Sequence, residues 1–410
     1  MMNLIKKNSV EVWYLLVIVV GYTVSSSFAV PLGIADSKIF SVPYRMLVFF
    51  FSLYIIYRNF SFQKLKNIAV ISISFFWLLY FVKNYISFST DAYDPIFSQT
   101  FLEIYIRIIL IAWIPSVALL FINYRNVDLS QVAKGFFYTL LLMLSLNFIY
   151  ALVMPHGLSR RFIFSIYYIS YGHLGTSMAL LSLFYLLFKS HKIPLYLLIG
   201  GFILGISTVV IAGARSPFLA IMVVIPYLLM IKKNIKLFAI FLSLLAVAIM
   251  GIYYFGKNDQ YEMMFVDRTY NWLFKGDNSL RTPLFERSIE IFNANPLFGG
   301  RTHYEDGMYP HNLFLELLMA TGLLGFVIYL LKFIPVFKNL QKFTFKISNY
   351  YHILFFTIFL QYLVLSFTSY ALYSVPEFLY FSSIIIGISL NRINEETESN
   401  DGRRNSSGNN

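Results

Sequence analysis

Long apolar runs, each closed by a short polar or basic cluster, repeat along this chain. A bilayer-spanning helix needs roughly 20 mostly apolar residues. Twelve segments fit: 12–34, 43–57, 68–88, 101–122, 132–154, 164–188, 193–213, 215–231, 236–255, 312–331, 351–372 and 376–390. The second and the last are short, as a tilted or partly embedded helix would be. Most connections between these runs are short, but one, Gly256 to Pro310, is long, and a loop of that length between spans usually has a function. Within it, RTPLFERSIEIFNANPLFGG sets Leu284, Phe285, Ile289, Ile291 and Phe292 loosely on one face. That spacing predicts a helix stopped by Pro296 and the Gly299–Gly300 pair. The last residues, NEETESNDGRRNSSGNN, are polar and predict a disordered tail. The pattern therefore predicts an all-α polytopic membrane protein: spans one to nine in 1–255, an extramembrane loop over 256–310, spans ten to twelve in 311–391 and a tail over 392–410.

Composition supports this reading. Of 410 residues, 58% are hydrophobic and only 13% are charged, against about 25% charged in soluble domains. There is no cysteine, which excludes disulfides and thiolate metal sites. The net charge of +12 reports membrane orientation, not nucleic-acid binding. Basic residues gather in alternate connections: Lys6 and Lys7; Arg58, Lys64 and Lys66; Arg125 and Lys134; Lys189 and Lys192; Lys232, Lys233 and Lys236; Lys332, Lys338, Lys342 and Lys346; and Arg392, Arg403 and Arg404. The intervening STDAYDPIFSQT and SYALYSVPE have none. Both termini are expected to be cytoplasmic. No small-residue cleavage site follows Lys6 and Lys7, so the first run is expected to be retained as a span.

Positive charge breaks this rule on the outer side at Arg160 and Arg161, at Arg215, and in the long loop at Lys257, Arg268, Lys275, Arg281, Arg287 and Arg301. A guanidinium is a planar fork that suits phosphate oxygens. Arg215 lies in IAGARSPFLA, between two spans with almost no loop, where Gly213 permits close backbone approach and Pro217 suits a first helical turn. It either snorkels to lipid headgroups or holds an anion at a helix start. Arg281, before the loop helix, is a solvated charge or a second anion ligand. Arg160, Arg161, Arg287 and Arg301 are candidate substrate contacts, with headgroup contact the alternative for the first two. In PHNLFLE, His311 sits at the mouth of the tenth span and can take a proton near neutral pH. Its alternative is an ordinary interface residue beside the helix cap Asn312. His303 and His173 are lesser candidates, as a loop and a core histidine. Tyr309, with Tyr261, Tyr270, Trp272 and Tyr304, can stack on sugar rings or anchor the loop. Glu103 and Arg107, four apart in one span, predict an ion pair or a substrate contact. The chain has no Walker or Rossmann glycine pattern, and its outer-side acids assemble no metal-ligand spacing. Any energy for a reaction must come with the substrate or from a gradient.

The stretch HNLFLELLMATGLLG places His311-Asn312, nine residues, Gly322, two residues and Gly325 in line. This pattern is similar to the signature of the bacterial O-antigen ligase and O-antigen polymerase superfamily. GARSPFLA resembles the family's arginine-bearing outer hairpin. SLRTPLFERSIEIFNANPLFGG resembles the loop segment in which an arginine precedes a helix and a Pro-Leu-Phe-Gly turn. The detailed likeness covers about 205–330. It implies a C-type glycosyltransferase fold in the bacterial inner membrane, with a periplasmic active site and no cofactor, nucleotide or metal. The implied donor is an undecaprenyl-pyrophosphate-linked oligosaccharide and the acceptor a sugar hydroxyl, with a chain-length regulator as a further partner. Arg215 and Arg281 match the arginines implied to hold the pyrophosphate, and His311 the histidine implied to activate the acceptor. The expected function is repeat-unit polymerisation, with inversion at the anomeric carbon. Ligation to lipid A-core is the alternative. A lipid-linked oligosaccharide flippase is a third, and would place polar residues deep in several spans.

Overall fold

The computed structural model describes residues 2–29, 32–34, 38–90, 100–153, 168–188, 192–257, 264–276, 281–344, 349–369, 371–373 and 376–407. The described residues are helical and contain no strand. The first half holds α1 (Met2–Ser27), α2 (Lys38–Arg58), α3 (Phe62–Leu65), α4 (Ile68–Thr90), α5 (Phe101–Arg107), α6 (Ile114–Phe121), α7 (Leu129–Val153) and α8 (Tyr168–Phe188). Then come α9 (Leu195–Ala212), α10 (Arg215–Ile231), α11 (Ile235–Lys257), α12 (Met264–Phe274) and α13 (Arg281–Ala294). The chain ends with α14 (Leu313–Leu331), α15 (Ile334–Lys338), α16 (Leu340–Thr344), α17 (Tyr350–Ser366) and α18 (Pro376–Ser407). Each of the twelve apolar segments falls on a helix. Nine helical stretches among the described residues are long and apolar enough to cross a membrane, and α10 and α17 are shorter, at 17 residues each.

Three departures from the expected boundaries have local causes. The second span begins at Lys38, not at Pro43, because a proline in the second turn removes only the bond to the Ile39 carbonyl and leaves the rest of α2 intact. Between α5 and α6 the backbone is π-helical from Ile108 to Trp113, so one span is read as three pieces. The polar tail continues the backbone of α18 as far as Ser407.

One continuous hydrophobic cluster joins the bundle. In it α1, α2, α6 and α7 pack together, α8 packs on α9, α10 and α17, and α18 contacts both α6 and α17. The closest helix pair is α8–α9. A Cβ on Gly205 would meet the backbone of Ala179 at 2.6 Å and of Gly175 at 2.7 Å. Small residues let membrane helices approach in this way, without a hydrophobic driving force between them. This contact fixes the α9–α10 hairpin, whose turn is Gly213 (φ 61°) and Ala214.

The long loop is fixed differently. α14 is broken at Gly322, where φ is 61° and ψ −165°. The break takes three backbone groups out of the usual helical ladder, and the turn after α13 meets them. The Leu323 N–H donates to the Pro296 carbonyl at 2.9 Å, the Leu324 N–H to Leu297 at 3.1 Å, and the Gly300 N–H to the Met319 carbonyl at 2.8 Å. Backbone polar groups freed inside a membrane protein need such partners. The two backbones are nearly in contact: a Cβ on Gly322 would lie 2.5 Å from Leu297 and from Gly299, and one on Gly299 would lie 2.6 Å from Gly322 and Thr321. Lys83 of α4 adds a bond from its ammonium to the Gly299 carbonyl at 2.9 Å.

Gly322→Ala should therefore be severely destabilising. Its backbone region is essentially restricted to glycine and costs about 1–3 kcal/mol for another residue, before the clash with Leu297 is counted. Gly251→Ala in α11, where an added Cβ meets nothing within 4 Å, should be neutral or stabilising by about 0.5–1 kcal/mol. Thermal unfolding of the two purified variants checks this, and equal melting temperatures would refute the interlock.

Candidate functional site

Two helices start with an arginine at the same place. Arg215 opens α10 directly after the Gly213–Ala214 turn, and Arg281 opens α13. Ala214 offers no side-chain cap, so no capping side chain covers the positive end of α10. The two arginines line one cavity of about 230 Å³ together with Ser216, Trp272, Thr282 and Thr368. The Ser369 hydroxyl donates to Ser216 at 2.9 Å and holds the segment after α17 against the start of α10. Phe367, on the cavity wall, stacks on Phe314 of α14 at 4.4 Å between ring centroids.

His311 is linked to this cavity through Arg281. It precedes the cap of α14 and adopts a left-handed backbone, φ 56°, uncommon for a residue with a side chain. Tyr309 packs on its imidazole, with centroids 4.3 Å apart. Burial, and then the charge of Arg281, pull the His311 imidazole down to about 4. At neutral pH it is therefore uncharged and able to accept a proton. Arg281 itself is held below its usual value, first by burial and then by the charge of Arg215. Arg215, Arg281 and His311 thus form one electrostatic group, assembled from three separate chain segments.

A third guanidinium belongs to this group. Arg268 of α12 donates to the Gly213 carbonyl at 3.2 Å and lies over the Tyr168 ring, and its charge acts on Arg281. Among the described residues no carboxylate forms an ion pair with Arg268 or Arg281. The loop spacing names Arg268 only as one basic residue among several. Its signal is the amphipathic pattern of MFVDRTYNWLF, which also brings Trp272 to the cavity.

Residues 200–330 match the family model described as O-antigen ligase. Over this stretch the chain is similar to the O-antigen polymerase and ligase superfamily. No curated protein matches the chain. The O-antigen ligase match spans the cavity arginines Arg215 and Arg281 and also Arg268, His311 and the Gly322 break.

The other candidates have different surroundings. Arg287 pairs with Glu305 and Asp306 and lies over the Tyr304 ring; Arg301 pairs with Glu305. These two guanidiniums tie the loop to itself. Tyr304 is fully buried and bonded to Ser288 and to the Leu284 carbonyl, which removes it as a sugar platform. His303 is buried between Thr302 (3.1 Å) and the Tyr373 hydroxyl (3.2 Å), and burial lowers it to about 4, so it serves as a neutral latch. Asn312 caps α14, its side-chain oxygen accepting from Phe314 and Leu315. Arg160, Arg161 and Tyr261 lie outside the described residues. His173 is buried in α8, where its carbonyl accepts from Gln361. The expected Glu103–Arg107 pair is not formed among the described residues; Glu103 pairs with Lys38 of α2 at 3.9 Å. Among the described residues no group of three or more His, Asp or Glu side chains is placed to hold a metal ion.

The opening sequence of α14 also carries an anchor that spacing did not reveal. Glu316 is fully buried and accepts from the Leu372 N–H at 2.8 Å and from the Tyr80 hydroxyl at 3.3 Å. It ties the helix behind His311 to α4 and to the segment after α17.

If Asn312 is a cap, Asn312→Ala should lose about 1 kcal/mol of stability, while Asn312→Ser and Asn312→Asp keep most of it. All three should retain transfer activity well below their melting temperatures. Loss of activity in the serine or aspartate variant at unchanged stability would make Asn312 a substrate contact instead.

Proposed function

We infer that this protein is a glycosyltransferase that moves a glycan from a polyprenyl diphosphate to an acceptor sugar hydroxyl, and that it polymerises repeat units. The observation that carries the reading is the convergence of Arg215 and Arg281 on one cavity, with the neutral His311 imidazole within the field of Arg281. Departure of the lipid diphosphate builds negative charge on the leaving oxygen. Fixed guanidiniums stabilise that charge more in the transition state than in the ground state. The acceptor hydroxyl attacks the anomeric carbon from the face opposite the leaving group, the carbon–oxygen bond to the diphosphate breaks, and the hydroxyl proton passes to His311. Configuration inverts. The activated donor supplies the driving force, and the guanidiniums do the charge neutralisation for which other phosphoryl-leaving enzymes recruit a metal. The basic alternation supports a reading in which both termini are cytoplasmic and the cavity opens at the periplasmic face of the inner membrane.

Ligation of a finished chain to lipid A-core is the second reading, favoured by the description of the matching family model. The two are separated by lipopolysaccharide from a deletion strain. Loss of a polymerase leaves one repeat unit on the core, and loss of a ligase leaves the core bare.

His311→Ala should reduce transfer by about 10²–10⁴-fold, the usual contribution of a general base, while the protein still inserts. Arg215→Lys keeps the charge but loses the fork, and should lose roughly 10²-fold or more. Full glycan ladders from either variant would remove its assignment. Purified activity should survive EDTA.

The pH dependence follows from the same group. Free enzyme needs His311 neutral, so kcat/KM should fall as pH drops through about 4. A bound diphosphate offsets the charge of Arg281 and makes the imidazole more basic. The acidic limb of kcat should therefore lie at higher pH than that of kcat/KM; coincident limbs would mean that donor and imidazole do not share this field.

A further inference from the structure

A second cavity of about 230 Å³ is lined by Lys38, Ser41 and Arg45 of α2 and by Glu103, Ile106 and Arg107 of α5. Both helices belong to candidate spans. Arg45 and Arg107 lie roughly 10 Å along them from their first residues. Ionisable side chains at such positions are costly and mark ligand pathways. One acid in the lining, Glu103, stands against three cations, Lys38, Arg45 and Arg107. Glu103 is engaged with Lys38, and among the described residues no carboxylate reaches ion-pair distance of Arg45 or Arg107. Glu377 is the other acid in the neighbourhood, where its charge and those of both arginines are felt at Tyr22. Arg45 and Arg107 repel one another, and both line the cavity. The backbone turns π-helical immediately after Arg107, a rare conformation found mostly at functional positions.

Two guanidinium forks facing one space suit phosphate oxygens. The rim is apolar: Val42 and Ile106 are each 46% exposed, so the cavity admits a charged head with an apolar tail. A phospholipid phosphodiester carries one negative charge. The two mutually repelling arginines are better matched by a diphosphate. This cavity also lies in the half of the chain outside the O-antigen ligase match.

We propose that the α2–α5 cavity is a second polyprenyl-diphosphate site, which holds the lipid-linked acceptor while the Arg215–Arg281 cavity holds the donor. The role of acceptor rests on the polymerase reading above; the binding of a second lipid diphosphate does not.

The test counts bound lipids on the full-length protein by native mass spectrometry, with undecaprenyl diphosphate as the probe. Wild type should bind two copies, and Arg45→Gln/Arg107→Gln and Arg215→Gln/Arg281→Gln one each. The copy retained in each variant reports that it is folded. If Arg45→Gln/Arg107→Gln does not purify, Arg45→Lys/Arg107→Lys keeps the charge, and should bind the second copy at least tenfold more weakly. Phosphatidylglycerol in tenfold excess should leave both copies in place. The proposal fails if wild type binds at most one copy, if two copies persist in Arg45→Gln/Arg107→Gln, or if phosphatidylglycerol displaces the second, which would make the cavity a general phospholipid site. Loss of one copy in Arg45→Gln/Arg107→Gln but none in Arg215→Gln/Arg281→Gln would support this cavity while removing the donor reading of the other.

Discussion

The geometry of the candidate site depends on two glycines that press their backbones together. Gly322 breaks α14, and the turn ending at Gly299 and Gly300 fills the break with three backbone hydrogen bonds. Arg281 is carried by α13, just before that turn, and His311 by the start of α14. The interlock is the direct backbone contact between the two segments, and the bonds of Tyr304 to Ser288 and Leu284 and of Arg287 to Glu305 and Asp306 hold α13 to the same loop. The contact is made of backbone, so no side-chain substitution elsewhere can reproduce it, and neither glycine tolerates a Cβ. The spacing of His311, Gly322 and Gly325 in the family signature thus has a mechanical reason. It records the distance along α14 from the imidazole to the socket that holds the arginine loop.

A second ordering principle is the sorting of charge in that loop. Glu305 and Asp306 neutralise Arg287 and Arg301. Arg281 and Arg268 are left facing Arg215 with no carboxylate partner among the described residues. Arg281 is lowered first by burial and then by the like charge of Arg215. Such an arrangement persists only where the surrounding fold enforces it, and it becomes favourable when an anion enters. Burial, and then the charge of Arg281, keep His311 neutral. On the proposed reading, a bound diphosphate acts on the imidazole through that same charge.

Much of this was legible in the sequence because it is local. The limits of α10, the loop helix ended by Pro296, the cap at Asn312 and the tight turn at Gly213 are each set by residues within a few positions of one another. What was not legible depends on partners distant in the chain. Arg268 reaches back 55 positions to the Gly213 carbonyl. Glu103 prefers Lys38, on another helix, to Arg107 four residues away. Arg287 and Arg301 look like Arg281 in a list of loop cations, and only the folded turn at 305–306 separates the structural pairs from the cavity cations. His303 and Glu316 carry chemistry that can suggest catalysis, yet burial and complete hydrogen bonding make them fasteners.

The two cationic cavities divide the molecule along the border of the family match. The matched stretch contains the proposed donor arginines, the proposed base and the glycine interlock. The first half supplies α2 and α5, whose arginines line a separate cavity. A polymerase differs from a ligase in what it brings to the acceptor side, a lipid-linked glycan in one case and a core sugar in the other. Recognition of that difference belongs where the chemistry does not constrain the sequence. A lipid-diphosphate pocket built from α2 and α5 satisfies that requirement, and it ties the choice between the two reactions to residues 45 and 107, outside the shared catalytic segment.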